Sequence, residues 1–240
     1  MALLTPLTEA SRQHRGAGTT TARRRVVLAG VALALVEAGL VHLGRTYGST
    51  PGERRALLPG DDIVLDPCVQ TDHAITIAAP PQDVWPWLVQ MGWGRAGWYT
   101  APWVDRLLFP ANGPSLDRVV PELQDLSIGV FVPDGPPETG CGFHVAVLEP
   151  GRALVLRSTS HLPRSWRDST TLDWTWTFVV TPADGGRTRF HFRSRWVTSP
   201  WWLTLGGHLV VVPADFLMSR DMLRGVRDRV EGRSVQSDDG

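Results

Sequence analysis

The stretch LDWTWTFVV at residues 172–180, the turn ADGG at 183–186 and RFHFRSRW at 189–196 decide the fold. In the first segment Leu172, Trp174, Trp176, Phe178 and Val180 recur at every second position, with Asp173, Thr175 and Thr177 between them. In the second, Phe190, Phe192 and Trp196 alternate with His191, Arg193 and Arg195. A period of two sends alternate side chains to opposite faces of a strand. The Gly-rich turn then joins two strands into an antiparallel hairpin with one aromatic face and one polar face, the latter expected to be wet.

Working outward, residues 128–133, 142–148 and 153–158 read as shorter strands, the last two joined by the tight turn Glu149-Pro150-Gly151-Arg152. Further upstream His73, Ile75 and Ile77 alternate with Ala74, Thr76 and Ala78 in a first strand that Pro80-Pro81 stops. Asp83 is placed to cap a helix with Pro86 at its third position, Val84, Trp85, Leu88 and Val89 at helical spacing, and Gly92 at its end. Residues 98–109 suggest a second, short helix with Trp103, Leu107 and Leu108 on one face. Residues 199–232 read as a long C-terminal helix with the apolar stripe Phe216, Met222, Leu223, Val226 and Val230, broken or kinked near its start by Pro213. Strands grouped in one sheet with helices on one side make an α+β architecture.

Ahead of this domain, residues 1–25 are polar and basic and predict a flexible tail. Residues 26–44 are apolar over about the ~20 residues a membrane-crossing helix needs, although Glu37 and His42 interrupt them. A transmembrane helix, a cleaved signal peptide with its apolar region at 26–36, and a buried or surface-lying helix of the domain all fit; the first is the leading expectation. Arg12, Arg15, Arg23, Arg24 and Arg25 precede the segment, which by the charge rule leaves the domain on the non-cytoplasmic side. Residues 45–70 mix Gly, Pro and charge and suggest a linker, 71–232 the folded domain, and 233–240 a disordered tail.

Arginine and acidic residues balance at 24 each, so no global field favours nucleic acid. Eleven tryptophans imply either an aromatic core or a concave aromatic surface. Cys68 and Cys141 have no metal-ligand spacing and are expected to be free. Nucleophile-elbow, paired-histidine metal and CxxC motifs do not occur, and no metal or cofactor is expected.

The segment AITIAAPPQDVWPWLVQ (74–90) with the following Met91-Gly92 and Gly97-Trp98-Tyr99 resembles the opening of the SRPBCC superfamily, which includes START-related and polyketide cyclase-like proteins. LPGDD at 58–62, Val120-Pro121-Glu122, LEPGRAL at 148–154, GGRTR at 185–189 and residues 218–229 are similar to an uncharacterised branch of that superfamily. The resemblance implies a helix-grip fold, with a curved antiparallel sheet around the C-terminal helix and a hydrophobic tunnel between them. It also implies an apolar N-terminal segment, and leaves the activity open, because related domains bind lipids, hormones or polyketide intermediates.

The cavity lining expected on this basis is Trp87, Tyr99, Trp103, Trp174, Trp176, Phe178, Phe190, Phe192 and Trp196, with the Tyr99 hydroxyl placed to orient a ligand carbonyl. Each of these residues has a plain alternative as core filling. Glu122 is the one candidate base, provided it is buried; Asp105, His144, Arg157 and His191 are the other titratable candidates. Strand parity turns His144 and His191 to solvent. Three functions follow: a membrane-held, non-catalytic binder of an apolar small molecule such as a lipid, isoprenoid or polyketide-like compound; a cyclase or dehydratase in the same cavity; or a structural or partner-binding membrane protein with a filled core.

Overall fold

The computed structural model describes residues 10–108 and 110–232; the expected C-terminal tail and the first nine residues lie outside the described residues. The chain divides between Leu40 and Val41 into two compact units. The first belongs to one helix, α1 (Ala10–Thr46), so from Ala10 onward the expected flexible tail is helical. Its stretch Arg23–Thr46 is long and apolar enough to cross a membrane or to serve as a signal sequence.

The second unit is α+β. After α2 (Pro51–Arg55) come β1 (Val69–Ile77), α3 (Pro81–Val89), α4 (Pro102–Leu108), β2 (Phe131–Pro133), β3 (Gly142–Glu149), β4 (Ala153–Ser158), β5 (Thr171–Ala183) and β6 (Arg187–Ser199). The chain ends in α5 (Trp201–Gly206), a π-helical turn (Gly207–Val211) and α6 (Val212–Val230). The six strands form one antiparallel sheet in the order β1-β6-β5-β4-β3-β2, curved as a helix grip requires. The hairpin is its spine: Trp174 pairs with Trp196, Trp176 with Ser194 and Phe178 with Phe192 across β5 and β6. The inner face meets α6 through Met218, Met222, Leu223 and Val226, all buried.

Local chemistry explains the helix limits. Pro81 starts α3, because a first-turn proline gives up no hydrogen bond there; Asp83 sits inside the first turn and is not the cap. Pro213, at the second position of α6, follows the π-helical turn, which is where a lost N–H is absorbed. In α4 the inward residues are Val104 and Asp105, while Trp103 and Leu107 are exposed, the reverse of the expected face. Asp105 is drawn in because its Oδ1 accepts from Thr100 Oγ1 at 2.6 Å and Asn112 Nδ2 at 2.9 Å.

The largest departure from the sequence reading is the outer face of the hairpin. Thr175, Thr177, His191, Arg193 and Arg195 are buried, because residues 48–66 pack across them instead of forming a linker. The Arg193 guanidinium spends all five donors here: Nε on Asp72 Oδ1 (2.7 Å), Nη1 on Asp61 Oδ2 (2.7 Å) and the Ala56 carbonyl (2.8 Å), and Nη2 on the carbonyls of Glu53 (2.9 Å) and Arg54 (3.2 Å). His191 Nε2 lies 2.8 Å from Asp72 Oδ1, so this histidine is paired and not solvent-facing. Arg195 bonds the Asp61 and Leu65 carbonyls, and Arg189 grips both oxygens of Glu53. Burial alone would raise the Asp72 carboxyl, but His191 and Arg193 hold it below the usual range. The Arg189 bond takes Glu53 down to about 2.

Removing one partner from such a buried set leaves the others charged and unpaired, at about 3–5 kcal/mol. Arg193→Ala is expected to lose that much, read as a lower urea midpoint at unchanged slope. Arg193→Lys should recover only part of it, since one ammonium cannot supply the planar five-donor fork. A loss below about 1 kcal/mol for the alanine variant would show that the outer layer does not depend on this residue.

Candidate functional site

Inside the grip the side chains are ordered in rows set by strand register. One row runs Val69–Trp196–Trp174–Ser158 across β1, β6, β5 and β4, and the next runs Thr71–Ser194–Trp176–Leu156. Phe178, Phe190 and Phe192 are fully enclosed beyond them, and Trp176 is 1% exposed. This part of the expected tunnel is solid: Trp176 sits between Phe143, Trp98, Phe178 and Phe192 at centroid distances of 4.5–6.3 Å.

The open space lies at the first row. An apolar cavity of about 120 Å³ is bounded by Trp174, Trp196 and Leu172 on the sheet, His161 and Leu162 after β4, and Leu203, Gly207 and Val211 on the C-terminal helix. Gly207 makes room for it: a Cβ there would stand 3.3 Å from Trp196 Nε1. The volume is well under the ~300 Å³ of an ordinary small-molecule pocket. Two larger hollows lie elsewhere: one of about 490 Å³ beside Arg45 and Arg54 is lined mainly by polar and charged residues, and one of about 520 Å³ beside Arg106 and Arg229 mixes charged side chains with Pro102, Pro110, Pro114 and Leu116.

His161 closes one end of the apolar cavity and is held there by a chain of polar groups. Its Nε2 lies 3.0 Å from Asp134 Oδ2 and its Nδ1 2.7 Å from Ser158 Oγ. Asp134 follows the end of β2, and the Pro133–Gly142 pairing brings it beside the start of β3. Ser160 fixes the returning loop by donating to the Gly142 carbonyl (3.0 Å) and accepting from its N–H (3.1 Å). The ring of His161 packs on Phe143 at 4.6 Å and against Trp174 at 5.1 Å. With Asp134 accepting from Nε2–H, Nδ1 is free to accept from the Ser158 hydroxyl, and Ser158 accepts from the Ser160 N–H at 3.0 Å. A carboxylate–imidazole–hydroxyl relay of this polarity can hold or pass a proton at the cavity wall.

In the second row Thr71 Oγ1 and Trp176 Nε1 are buried with no hydrogen-bond partner among the described residues, as are Trp98 Nε1, Asp215 Oδ2 of α6 and, on the outer face of the sheet, Arg195 Nε. Thr71 and Trp176 both pair with Ser194 in the second row. Asp215 is one helical turn past Val211, which lines the cavity. Burial, reinforced by the Asp134 carboxylate, pushes Asp215 from 3.8 up to about 7. His73, also inward-facing, is taken by burial down to about 4 and stays neutral, bonding the Gly44 carbonyl at 2.6 Å and Ser219 Oγ at 2.7 Å.

The expected site residues thus separate. Trp174 and Trp196 line the cavity, whereas Trp176, Phe178, Phe190 and Phe192 are packed core. Trp87 is buried against Tyr99. The Tyr99 hydroxyl is already committed, donating to the Trp87 carbonyl (3.0 Å) and accepting from Gln90 Nε2 (2.9 Å), so it orients no ligand here. Trp103 is exposed on α4, and Glu122 is exposed on the turn Pro121–Leu123, which removes the burial that a base role requires. Arg157 is an exposed partner of Asp173, at 2.8 and 2.7 Å, and His144 faces outward as parity predicts. Both cysteines are free thiols. No group of residues among those described has the makings of a metal site.

Among known proteins, no family model and no curated protein matches the chain. Solved structures similar to it include norcoclaurine synthase from Thalictrum flavum, 12% identical, with a TM-score of 0.39 over 67% of this chain and 91% of that one. The Aha1 dimer from Colwellia psychrerythraea is 18% identical, with a TM-score of 0.35 over 69% of this chain and 98% of that one. A hypothetical protein from Helicobacter pylori is 12% identical, with a TM-score of 0.44 over 71% and 93%. Scores this low carry no argument about function, and the helix-grip description rests on strand order and register.

Asp215 gives this site a pH signature. The folded protein binds its proton more tightly than the unfolded chain does, so the contribution to stability is complete below pH 3.8 and is lost as pH rises to about 7. Asp215→Asn is expected to melt with wild type near pH 4 and several degrees above it at pH 8. A gap that does not widen with pH would mean that the carboxyl has a partner.

Proposed function

We propose that this protein binds an apolar small molecule at the His161–Trp174–Trp196 cavity while α1 holds it at a membrane, with the domain on the non-cytoplasmic side. The observation that supports this reading is an apolar cavity at the first row beside a second row in which Thr71 Oγ1 and Trp176 Nε1 are unpaired. A buried polar group without a partner costs about 1–3 kcal/mol, and a ligand reaching the second row would recover that cost. Such a ligand has an apolar body for Trp174, Trp196 and Val211, and one or two polar atoms: an acceptor for an indole N–H, a donor for Asp215. A lipid, an isoprenoid or a polyketide-like molecule meets this description.

At about 120 Å³ the space takes the end of such a molecule and not its whole length. The remainder would extend past Leu203 and Val211, or Trp174 would swing aside. A second reading, proton-transfer catalysis of the cyclase or dehydratase kind, is favoured by the Asp134–His161–Ser158 relay. It replaces Glu122 and Tyr99 as the acid–base candidates.

Extraction tests the binding reading. Full-length chain purified from its own host should yield one apolar compound at near-stoichiometric amount, and Gly207→Leu, which places a side chain against Trp196 in the cavity, should yield several-fold less. Equal amounts from both proteins would mean that the compound sits elsewhere, and none from either would favour a filled-core structural or partner-binding role. Where the compound is converted on incubation, His161→Gln should stop conversion while leaving retention intact.

A further inference from the structure

The segment Trp201–Val211 is the least polar exposed surface of the domain. Over α5 and the π-helical turn it carries no Asp, Glu, Lys or Arg, and His208 is its only titratable side chain. Trp201 is 74% and Val210 67% exposed, and Trp202, Leu205, Leu209 and Val211 are exposed beside them. Trp166, on the turn after β4, extends the surface by standing edge-on to Trp202 at 5.5 Å. A helix that is apolar on all sides is normally buried, and a contiguous apolar patch of this kind marks a contact surface.

What covers it follows from where the chain enters the domain. Val41 packs on the buried cluster of Val69, Trp196 and Val212, and Gly44 lies against Val212 and Phe216. The last turns of α1, from Val41 to Gly44, therefore pack at the first turns of α6, immediately after Trp201–Val211 in sequence. A lipid surface is apolar below a headgroup layer in which tryptophan is favoured, which matches a patch with Trp201 and Trp202 at one end and Leu209 and Val210 at the other.

We propose that Trp201–Val211 lies in the interface of the bilayer that holds α1. Leu203, Gly207 and Val211 line the apolar cavity from this same segment, so docking would turn the cavity mouth toward lipid and give an apolar ligand a route that avoids water. The inference rests on the membrane-tethered reading above.

Tryptophan emission tests it on the full chain, because every tryptophan lies between Trp85 and Trp202 and none lies in the span. The protein is reconstituted in phosphatidylcholine vesicles with brominated acyl chains and, separately, in the same lipid unbrominated; flotation reports tethering. The expected result is flotation with a loss of emission in the brominated vesicles. The double variant Trp201→Phe/Trp202→Phe should lose that quenching through loss of the reporter, and Leu209→Glu/Val210→Glu should lose it with both tryptophans present. Flotation with equal emission in the two lipids overturns docking and leaves the tether standing. Cross-linking between Leu209→Cys copies in that case would assign the patch to a second copy of the chain. Quenching that persists in the Phe variant and survives the further change Trp166→Phe also overturns the proposal, since a tryptophan outside the patch would then face the lipid. A chain that does not float removes tether and docking together.

Discussion

The fold depends on a cation buried where the strand pattern calls for water. Arg193 stands on the outer face of β6, 2% exposed, with Asp72 and Asp61 beside it and three backbone carbonyls of residues 53–56 around it. Desolvating three charges is tolerable because every donor of Arg193 is paired, although Arg195 Nε in the same layer has no hydrogen-bond partner. Five donors meet five acceptors, and the second oxygen of Asp72 takes Gln70. The sheet is thereby clamped from outside as well as packed from inside. The domain is a three-layer structure: residues 48–66, the sheet, and the helical layer dominated by α6.

This clamp explains the site's rigidity. β1 and β6 are held in register by Asp72 bridging to His191 and Arg193, while on the opposite face of β1 His73 bonds both the end of α1 and Ser219 of α6. Asp72 and His73 are adjacent, so one strand transmits the outer ion network into the inner layer. Asp215 is one turn from Ser219, whose hydroxyl lies 2.6 Å from the Asp215 carbonyl.

How far the sequence revealed this differs by element. The hairpin, the order of strands and helices and the inward face of the sheet were legible because apolar side chains repeat with the period of the structure they form; the face of α4 was read the wrong way round. Residues 45–70 carry no such repeat, since polar packing uses the same Gly, Asp and Arg that a solvated loop uses. One signal was available: Arg189, Arg193 and Arg195 share a face of a strand with no acidic residue between them, and acids at Glu53, Asp61 and Asp72 had to come from elsewhere. His161 was passed over because its partner Asp134 lies 27 residues upstream and arrives only through the β2–β3 ladder. The aromatic face was identified, but alternation cannot say which rings close on one another; that depends on Phe143 and Trp98, which come from separate elements to enclose Trp176.

A filled interior and a ligand site are compatible once the rows are considered separately. The third row, with Phe178 and Phe192, is sealed and supplies stability. The first row is loose at one corner, where Gly207 withholds a side chain and the helix takes a π-helical turn. Between them lies the second row, tightly packed yet carrying Thr71 Oγ1 and Trp176 Nε1 without partners, while Asp215 Oδ2 on α6 is buried and unpaired as well. A sequence optimised only to fill space would place apolar atoms at these positions, since each unpaired group costs stability and Asp215 costs more with every unit of pH up to about 7. On the proposed reading, a ligand entering the apolar opening at the first row would complete the second row with its polar atoms. The direction of that opening, toward Leu203 and Val211, is the direction in which the domain's own surface ceases to be polar.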